Sequence, residues 1–401
     1  MKILVINSGS SSIKYQLFDM PGATAVAGGL VERIGEAMGR VLYWSQAGAK
    51  IEREMPIADH RQGLMQVVAL LLDEQDGVIG AAGEITAVGH RVVHGGEKFS
   101  QPTVIDAEVM DTIRELIPLA PLHNPANLSG IEVAREIFPE AVQTAVFDTA
   151  FHQTMPPRAY RYAIPNALYA EEHIRVYGFH GTSHLYVSKM ALEHLGKPAA
   201  ETNLISIHLG NGASMTAVAG GKSIDTTMGF SPLPGLIMGT RSGDLDPAVI
   251  FYLSERLDMS IPEIDRLLNK QSGLLGLTGV NDVRDIQARS EAGDMAAALA
   301  LEMYAYRIKK YIGAYTAVLG HLDAIIFTAG VGQNSAAVRR LVCAGLESLG
   351  IALDEVKNAA GVTGPVSEIQ GENGRVKILI IPTNEELEIA SQTYALVGQI
   401  K

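Results

Sequence analysis

The chain opens on an apolar run, Ile3-Leu4-Val5-Ile6, followed by the polar stretch Asn7-Ser8-Gly9-Ser10-Ser11-Ser12 and the alternating Tyr15-Gln16-Leu17-Phe18-Asp19. A short apolar run, a glycine turn and a period-two return predict a strand, a tight turn and a second strand. The same order recurs roughly half a chain later. There the apolar run is Asn203–Leu209, Gly210-Asn211-Gly212 makes the turn, Ala213–Ala219 returns, and Gly220-Gly221 leads a hairpin into residues 222–225. So long a spacing excludes a solenoid and predicts a duplicated domain. Elsewhere, helical apolar spacing predicts helices over residues 62–72, 105–117, 127–138, 295–319 and 336–349, and compact apolar runs predict strands over 85–93, 141–147, 324–328 and 376–381. Thr383, with Glu386 three positions on, reads as a capping box that opens a last helix. The alternation is that of an α/β protein, two duplicated domains with an inter-domain cleft for ligands.

At 401 residues the chain has room for two or three domains, and 47% hydrophobic against 19% charged residues leaves ample core. The formal net charge of −12 argues against nucleic acid or an anionic membrane as partner, so an anionic ligand has to be held by local arginines. Cys343, the only cysteine, excludes an internal disulfide and a cysteine-rich metal site. The histidines show no His-Glu-x-x-His spacing, which argues against zinc. The first apolar run is too short for a secretory signal, and no uncharged apolar stretch reaches the roughly 20 residues of a membrane span. A soluble, cytoplasmic protein is expected.

The opening turn is rich in hydroxyls and backbone N–H groups and is closed by Lys14, which suits a phosphate chain and its metal; a plain hairpin tip is the alternative. It is not a Walker A loop, which needs Gly-x-x-x-x-Gly-Lys before a helix. Five further segments set charged or imidazole side chains among glycines and prolines: 90–96 with Arg91, 121–125 with His123, 146–152 with Asp148, 177–184 with His180, and 238–244 with Arg241. Two arginines, histidines and an aspartate ending an apolar strand suit phosphoryl transfer, where catalysis is mostly positioning and charge neutralisation. Each also has a plainer reading. Arg91 and Arg241 read equally as surface ion pairs, His180 as a buried hydrogen-bonded histidine, and Asp148 as a turn cap. Glu386 is taken up by the capping box, which leaves Glu385 in the first helical turn beside the dipole.

Taken together these segments resemble the acetate kinase family and its acyl kinase relatives, including propionate kinase, from Asn7–Lys14 to Pro382-Thr383-Asn384-Glu385-Glu386-Leu387. The resemblance implies the duplicated actin-like, Hsp70-like and sugar-kinase (ribonuclease H-like) fold and reversible phosphoryl transfer between ATP and acetate. It also implies an acyl-kinase domain of residues 1–150 plus 383–401 and a nucleotide-binding domain of residues 151–382. On the family pattern Ser10, Ser12 and Lys14 lie near the phosphates, and Asn7 and Glu385 hold Mg²⁺, with Mn²⁺ as a substitute. Arg91 and Arg241 bind the acetate carboxylate and the moving phosphoryl group, His180 and more weakly His123 donate to it, and Asp148 positions Arg91 and the substrate. Val93, Leu122, Phe179 and Pro232 make the methyl pocket. The nucleotide contacts fall on His208, Leu209, Gly210, Asn211 and Gly212, on Asp282, Val283 and Arg284, and on Gly330, Val331, Gly332, Gln333 and Asn334. Most relatives carry glutamate at the position of Gln333, which bears on the choice between ATP, other nucleotides and pyrophosphate. The resemblance also implies a homodimer.

Overall fold

A computed structural model describes residues 1–121 and 123–400. The chain divides into two compact units, Met1–Ala150 with Asn384–Lys401, and Phe151–Thr383.

The first unit is built on an eight-stranded sheet. Its strands are β1 (Lys2–Ser8), β2 (Ser12–Asp19), β3 (Thr24–Glu32), β4 (Gly39–Ser45), β5 (Lys50–Met55), β6 (Ile85–Val92), β7 (Thr103–Val104) and β8 (Val142–Phe147). Their spatial order is β5-β4-β3-β2-β1-β6-β8-β7. β1 to β5 form an antiparallel meander, and β6 and β8 join it in parallel. Alternation along β1 explains why this sheet is covered on both faces. Leu4 and Ile6 enter a cluster with Leu64, Val67 and Phe138, under the helices His60–Leu71 and Asn124–Ile137. Ile3 and Val5 enter another with Ala87, Ile389 and Ala390, under the final helix Glu385–Ile400. That helix packs close because β6 carries Gly89, where a Cβ would come within 2.6 Å of Thr393 Oγ1. The chain therefore returns at its end to the first unit and delivers Glu385 and Glu386 there. At the outer edge, β5 keeps Lys50, Glu52, Arg53 and Glu54 exposed.

The second unit carries a six-stranded sheet in the order β11-β10-β9-β12-β14-β13. Its strands are β9 (Asn203–Leu209), β10 (Ala213–Ala219), β11 (Lys222–Thr226), β12 (Ala324–Thr328), β13 (Ser367–Glu368) and β14 (Lys377–Ile380). Every residue of β9 and β12 is buried, the mark of central strands covered on both faces. On one face Val187 and Ala191 of the helix Gly181–Leu195 pack against Leu204, Val218, Ile326 and Leu379.

Three antiparallel strands followed by two parallel ones occur in both units, as β3-β2-β1-β6-β8 and as β11-β10-β9-β12-β14. The duplicated α/β plan expected from the repeated turn is thus present. The expected helix over 336–349 ends at Cys343, because Ala344 already turns to an extended backbone with ψ 128°, ahead of Gly345 at φ +75°. Residues 329–334 form a short helical segment, Ala329–Asn334.

Candidate active site

In the first unit the register of three strands gathers one charged cluster. β1 ends at Asn7 and Ser8, and the turn closes with Gly9 N donating to Ser12 O at 2.8 Å. The β1–β2 register puts Asn7 opposite Lys14. Arg91 lies near the end of β6, and Asp148 follows β8, its N–H bonded to Val92 O at 2.9 Å. Arg91 Nε donates to Asp148 Oδ1 at 3.2 Å, and its Nη2 donates to Asp148 Oδ2. Two parallel bonds fix the plane of the guanidinium, a restraint that a single contact lacks. Arg91 Nη1 reaches Asn7 Oδ1 at 3.3 Å, and Glu385 Oε2 lies 3.8 Å from Arg91 Nε. Burial opposes the charge on Arg91, but Asp148, Glu385 and Glu386 outweigh it and hold its pKa above the ordinary value. Burial, helped by the carboxylates of Asp148 and Glu386, pushes Glu385 up against the opposing pull of Arg91 and Lys14.

The strand ends are braced from behind by the helix Asn124–Ile137. Asn127 accepts from Val93 N at 3.0 Å and donates to Ser8 O at 2.8 Å, while Asn124 accepts from His94 N at 3.2 Å. His123 immediately precedes this helix, and Val93 is buried. Leu122 lies outside the described residues. Ser10 is exposed and Ser12 half-buried on the opening turn.

The capping box expected from Thr383 and Glu386 is not formed. Asn384 caps the last helix instead, its Oδ1 accepting from Leu387 N at 3.0 Å. Thr383 Oγ1 accepts from Ser183 Oγ, and Glu386 pairs with Lys14 at 2.6 Å. A capping residue one place later frees Glu386 for the opening turn.

In the second unit His180 immediately precedes the helix Gly181–Leu195 with a φ of +56°, a left-handed conformation that costs a non-glycine residue about 1 kcal/mol or more. Strain of this kind fixes where the ring goes. It stacks on His208 of β9 with centroids 4.3 Å apart, and Nδ1 meets Ser214 Oγ of β10 at 2.9 Å. Arg241 is carried by the segment 238–241, which is bonded to 272–275 through Met238 O and Thr240 O. Gly273, with φ +60°, is required there, since a Cβ would lie 2.2 Å from Met238 O. Arg241 Nη1 donates to Pro232 O at 3.2 Å, and among the described residues no carboxylate pairs with it. Burial lowers its pKa accordingly.

Gly212 leaves open the point where these two side chains converge. A Cβ built on it would lie 3.3 Å from His180 Nε2 and 3.6 Å from Arg241 Nη1. Phe179, beside His180, is buried.

The adjoining cavity holds about 490 Å³ and is lined by Gly210, Asn211, Asp282, Val283, Arg284, Gly330, Val331 and Asn334 among the expected nucleotide contacts. Gly239, Leu274, Asn281, Gln287 and Ser335 also line it, and sequence reasoning missed them. Leu209 is fully buried, and Gly332 packs toward it behind the lining. His208 and Gly212 belong to the imidazole side just described, and Gln333 is not part of the lining. Arg339, only 1% exposed, donates to the carbonyls of Gly332 and Gln333 at 2.9 and 3.0 Å and to Asn358, so it fixes the end of the segment Ala329–Asn334. A cation at the carboxyl end of a helical segment is favourably placed.

The acetokinase family model matches residues 2–391. An acetate kinase of Nitratidesulfovibrio vulgaris is 54% identical over 397 residues, 98% of each chain. The solved structure of an acetate kinase from Porphyromonas gingivalis superposes with a TM-score of 0.94 at 44% identity over 99% of each chain. A propionate kinase from Francisella tularensis gives 0.92 at 42% identity, over 98% of this chain and 99% of that one. Matched by the family model over residues 2–391 and covered almost end to end by these relatives, this chain belongs to the acetokinase family.

Proposed function

We propose that the chain catalyses reversible, Mg²⁺-dependent transfer of the γ-phosphoryl group of ATP to acetate, giving acetyl phosphate and ADP by direct in-line attack. The observation that carries the phosphoryl-transfer site is Arg241, a partly buried cation with no carboxylate partner among the described residues, converging with His180 Nε2 on the space left by Gly212. An anionic group placed there offsets the burial of the guanidinium and accepts hydrogen bonds from both side chains. Arg91, its plane set by Asp148, binds the carboxylate of the acid; Asp148 is a positioning residue and His123 a second, weaker donor. No general base is required, because acetate is ionised at neutral pH.

Asn7 Oδ1 and the Glu385 carboxylate both border Arg91, so two hard oxygen donors belong to one cluster. That suits Mg²⁺ (or Mn²⁺), which keeps several waters and takes few protein ligands. Bound there, the ion would supply charge neutralisation for the phosphate oxygens. Ser10, Ser12 and Lys14 line the phosphate side of the first unit, and the 490 Å³ cavity takes the nucleoside. In the first unit Val93 bounds the methyl group. On this reading the first unit serves the acid and the second the nucleotide.

The enzyme is proposed to be a cytoplasmic homodimer with no nucleic-acid or membrane partner. Supporting the dimer, the second unit exposes Phe251, Tyr252, Leu257 and Ile261, and the helix Met295–Leu319 exposes Leu299 and Tyr306, apolar area of the kind that subunit interfaces cover. Among the described residues no helix is long and apolar enough to cross a membrane.

Steady-state phosphorylation of acetate, propionate and butyrate with ATP and Mg²⁺, repeated with pyrophosphate, tests the reading. Highest kcat/KM for acetate with ATP supports it. A preference for propionate keeps the mechanism and changes the acid, and no turnover on any acid overturns it.

A further inference from the structure

His184 lies one helical turn beyond His180 and is fully buried. Both of its ring nitrogens are bonded to serine hydroxyls: Nδ1 to Ser206 Oγ and Nε2 to Ser214 Oγ, each at 2.8 Å. Ser214 Oγ is also 2.9 Å from His180 Nδ1. The β9–β10 register makes this possible, since Ser214 faces His208 and Ser206 lies two residues earlier on β9. The result is an unbroken series: Ser206, His184, Ser214, His180. Burial and the neighbouring His152 and His208 keep the His184 pKa well below its ordinary value, so its ring is neutral and carries one N–H.

Such a series can run in either of two directions, and Ser206 decides between them. Its hydroxyl is fully buried and has no hydrogen-bond partner among the described residues except His184 Nδ1. If His184 Nδ1 carried the proton, the Ser206 O–H would be left without an acceptor in the interior, at a cost of about 1–3 kcal/mol. Ser206 therefore donates to Nδ1, His184 Nε2–H donates to Ser214, and the single Ser214 proton is left to donate to His180 Nδ1.

We propose that Ser206, His184 and Ser214 act as positioning residues that hold His180 as the Nε2–H tautomer, so that a neutral imidazole presents a donor toward the space beside Arg241 Nη1. This rests on the phosphoryl-transfer reading for its use, but not for its chemistry. A bare Nε2 would turn a lone pair toward an anion, whereas the tautomer set from Ser206 turns an N–H toward it. Ser206 governs that choice across two intervening side chains, without touching His180 or any substrate.

The test is ¹⁵N NMR of the histidine-labelled, unliganded full chain, with the His180 signals assigned by their loss in His180→Gln. The expected wild-type spectrum has a proton-bearing Nε2 and a bare Nδ1 on His180. In Ser206→Ala and in Ser214→Ala the His180 tautomer should become mixed or reversed, kcat should fall about tenfold, and KM for ATP and acetate should stay within about twofold. Ser206→Thr, which keeps the hydroxyl, should restore both the spectrum and kcat. A bare Nε2 in the wild type, or a His180 spectrum unmoved in a folded Ser206→Ala, overturns the proposal. The tautomer is read without turnover, so its failure is distinct from failure of the catalytic reading, which would appear as full activity in His180→Gln.

Discussion

Arg91 and Arg241 are both partly buried guanidiniums, yet their surroundings have little in common. Arg91 is held by Asp148, Asn7 and Glu385, and neighbouring carboxylates raise its pKa in spite of burial. Arg241 meets a carbonyl oxygen and the Met238 sulfur, and burial lowers its pKa. The first cation is a fixture whose charge the protein itself balances. The second is left for a ligand to balance. Around them the same contrast holds: carboxylates, lysine and arginine in the first unit, and serines with stacked or bonded imidazoles in the second.

The sharpest way to break this contrast is to remove each arginine. Arg91→Ala and Arg241→Ala should both lower turnover at least about a hundredfold, but their effects on stability should diverge. Asp148 is 1% exposed, and Arg91→Ala removes the two parallel bonds it accepts from the guanidinium, which should cost roughly 3 kcal/mol of folding free energy. Arg241→Ala strands no carboxylate and should change stability by less than about 1 kcal/mol. Urea denaturation beside steady-state kinetics checks both; equal losses of stability would dissolve the distinction.

Next in size, Gly212→Ala places a methyl group 3.3 Å from His180 Nε2 and 3.6 Å from Arg241 Nη1. Turnover should fall about tenfold or more through displaced donors, with a melting temperature close to wild type. Unchanged turnover would mean that the two side chains do not converge on a reacting group. A smaller effect belongs to the acid pocket: Val93→Ala should shift kcat/KM toward propionate by up to about tenfold, since one methylene is worth about 1–3 kcal/mol. An unaltered acetate-to-propionate ratio would remove Val93 from the pocket.

A last effect, on stability alone, separates the units least. Burial drives His90 and His94 down to about 4 in the first unit, and His184 well below its ordinary value in the second. Unfolded, each titrates near 6.5 and binds a proton that the folded form refuses, so stability should fall as pH drops from about 6.5 toward about 4. Each such histidine contributes at most about 1.4 kcal/mol per pH unit in that window, and nothing above it. Urea midpoints at about pH 7 and about pH 5 would show the slope, and equal midpoints would mean that these rings ionise in place.

What was legible in the sequence was mostly short-range. The two apolar-turn-return stretches revealed the duplication because strand and turn are written in adjacent residues, and the topology repeats it. The meander β3 to β5 went unassigned because Gly28 and Gly29 interrupt the apolar pattern and charged residues hold four of the six positions of β5. The final helix shows how a local signal misleads by one position: Thr383 and Asn384 are both competent caps, and Asn384 takes the role. Arg91, Asp148, His180 and Arg241 stood out by their glycine and proline settings. Ser206, His184, Ser214 and Arg339 did not, because their partners are set by strand register or by segments far off in sequence.

The exposed row Lys50, Glu52, Arg53 and Glu54 on β5 has a consequence far from the chemistry. An eight-stranded sheet has to end somewhere, and an open border of unpaired amides invites another chain to add a strand. Charges of both signs on this border make such docking costly, because an incoming strand would have to strip their water. Replacing them with valine or threonine would leave the fold and the kinetics nearly as they are. It would turn the border into a seed for aggregation, a liability felt at high expression rather than at the active site.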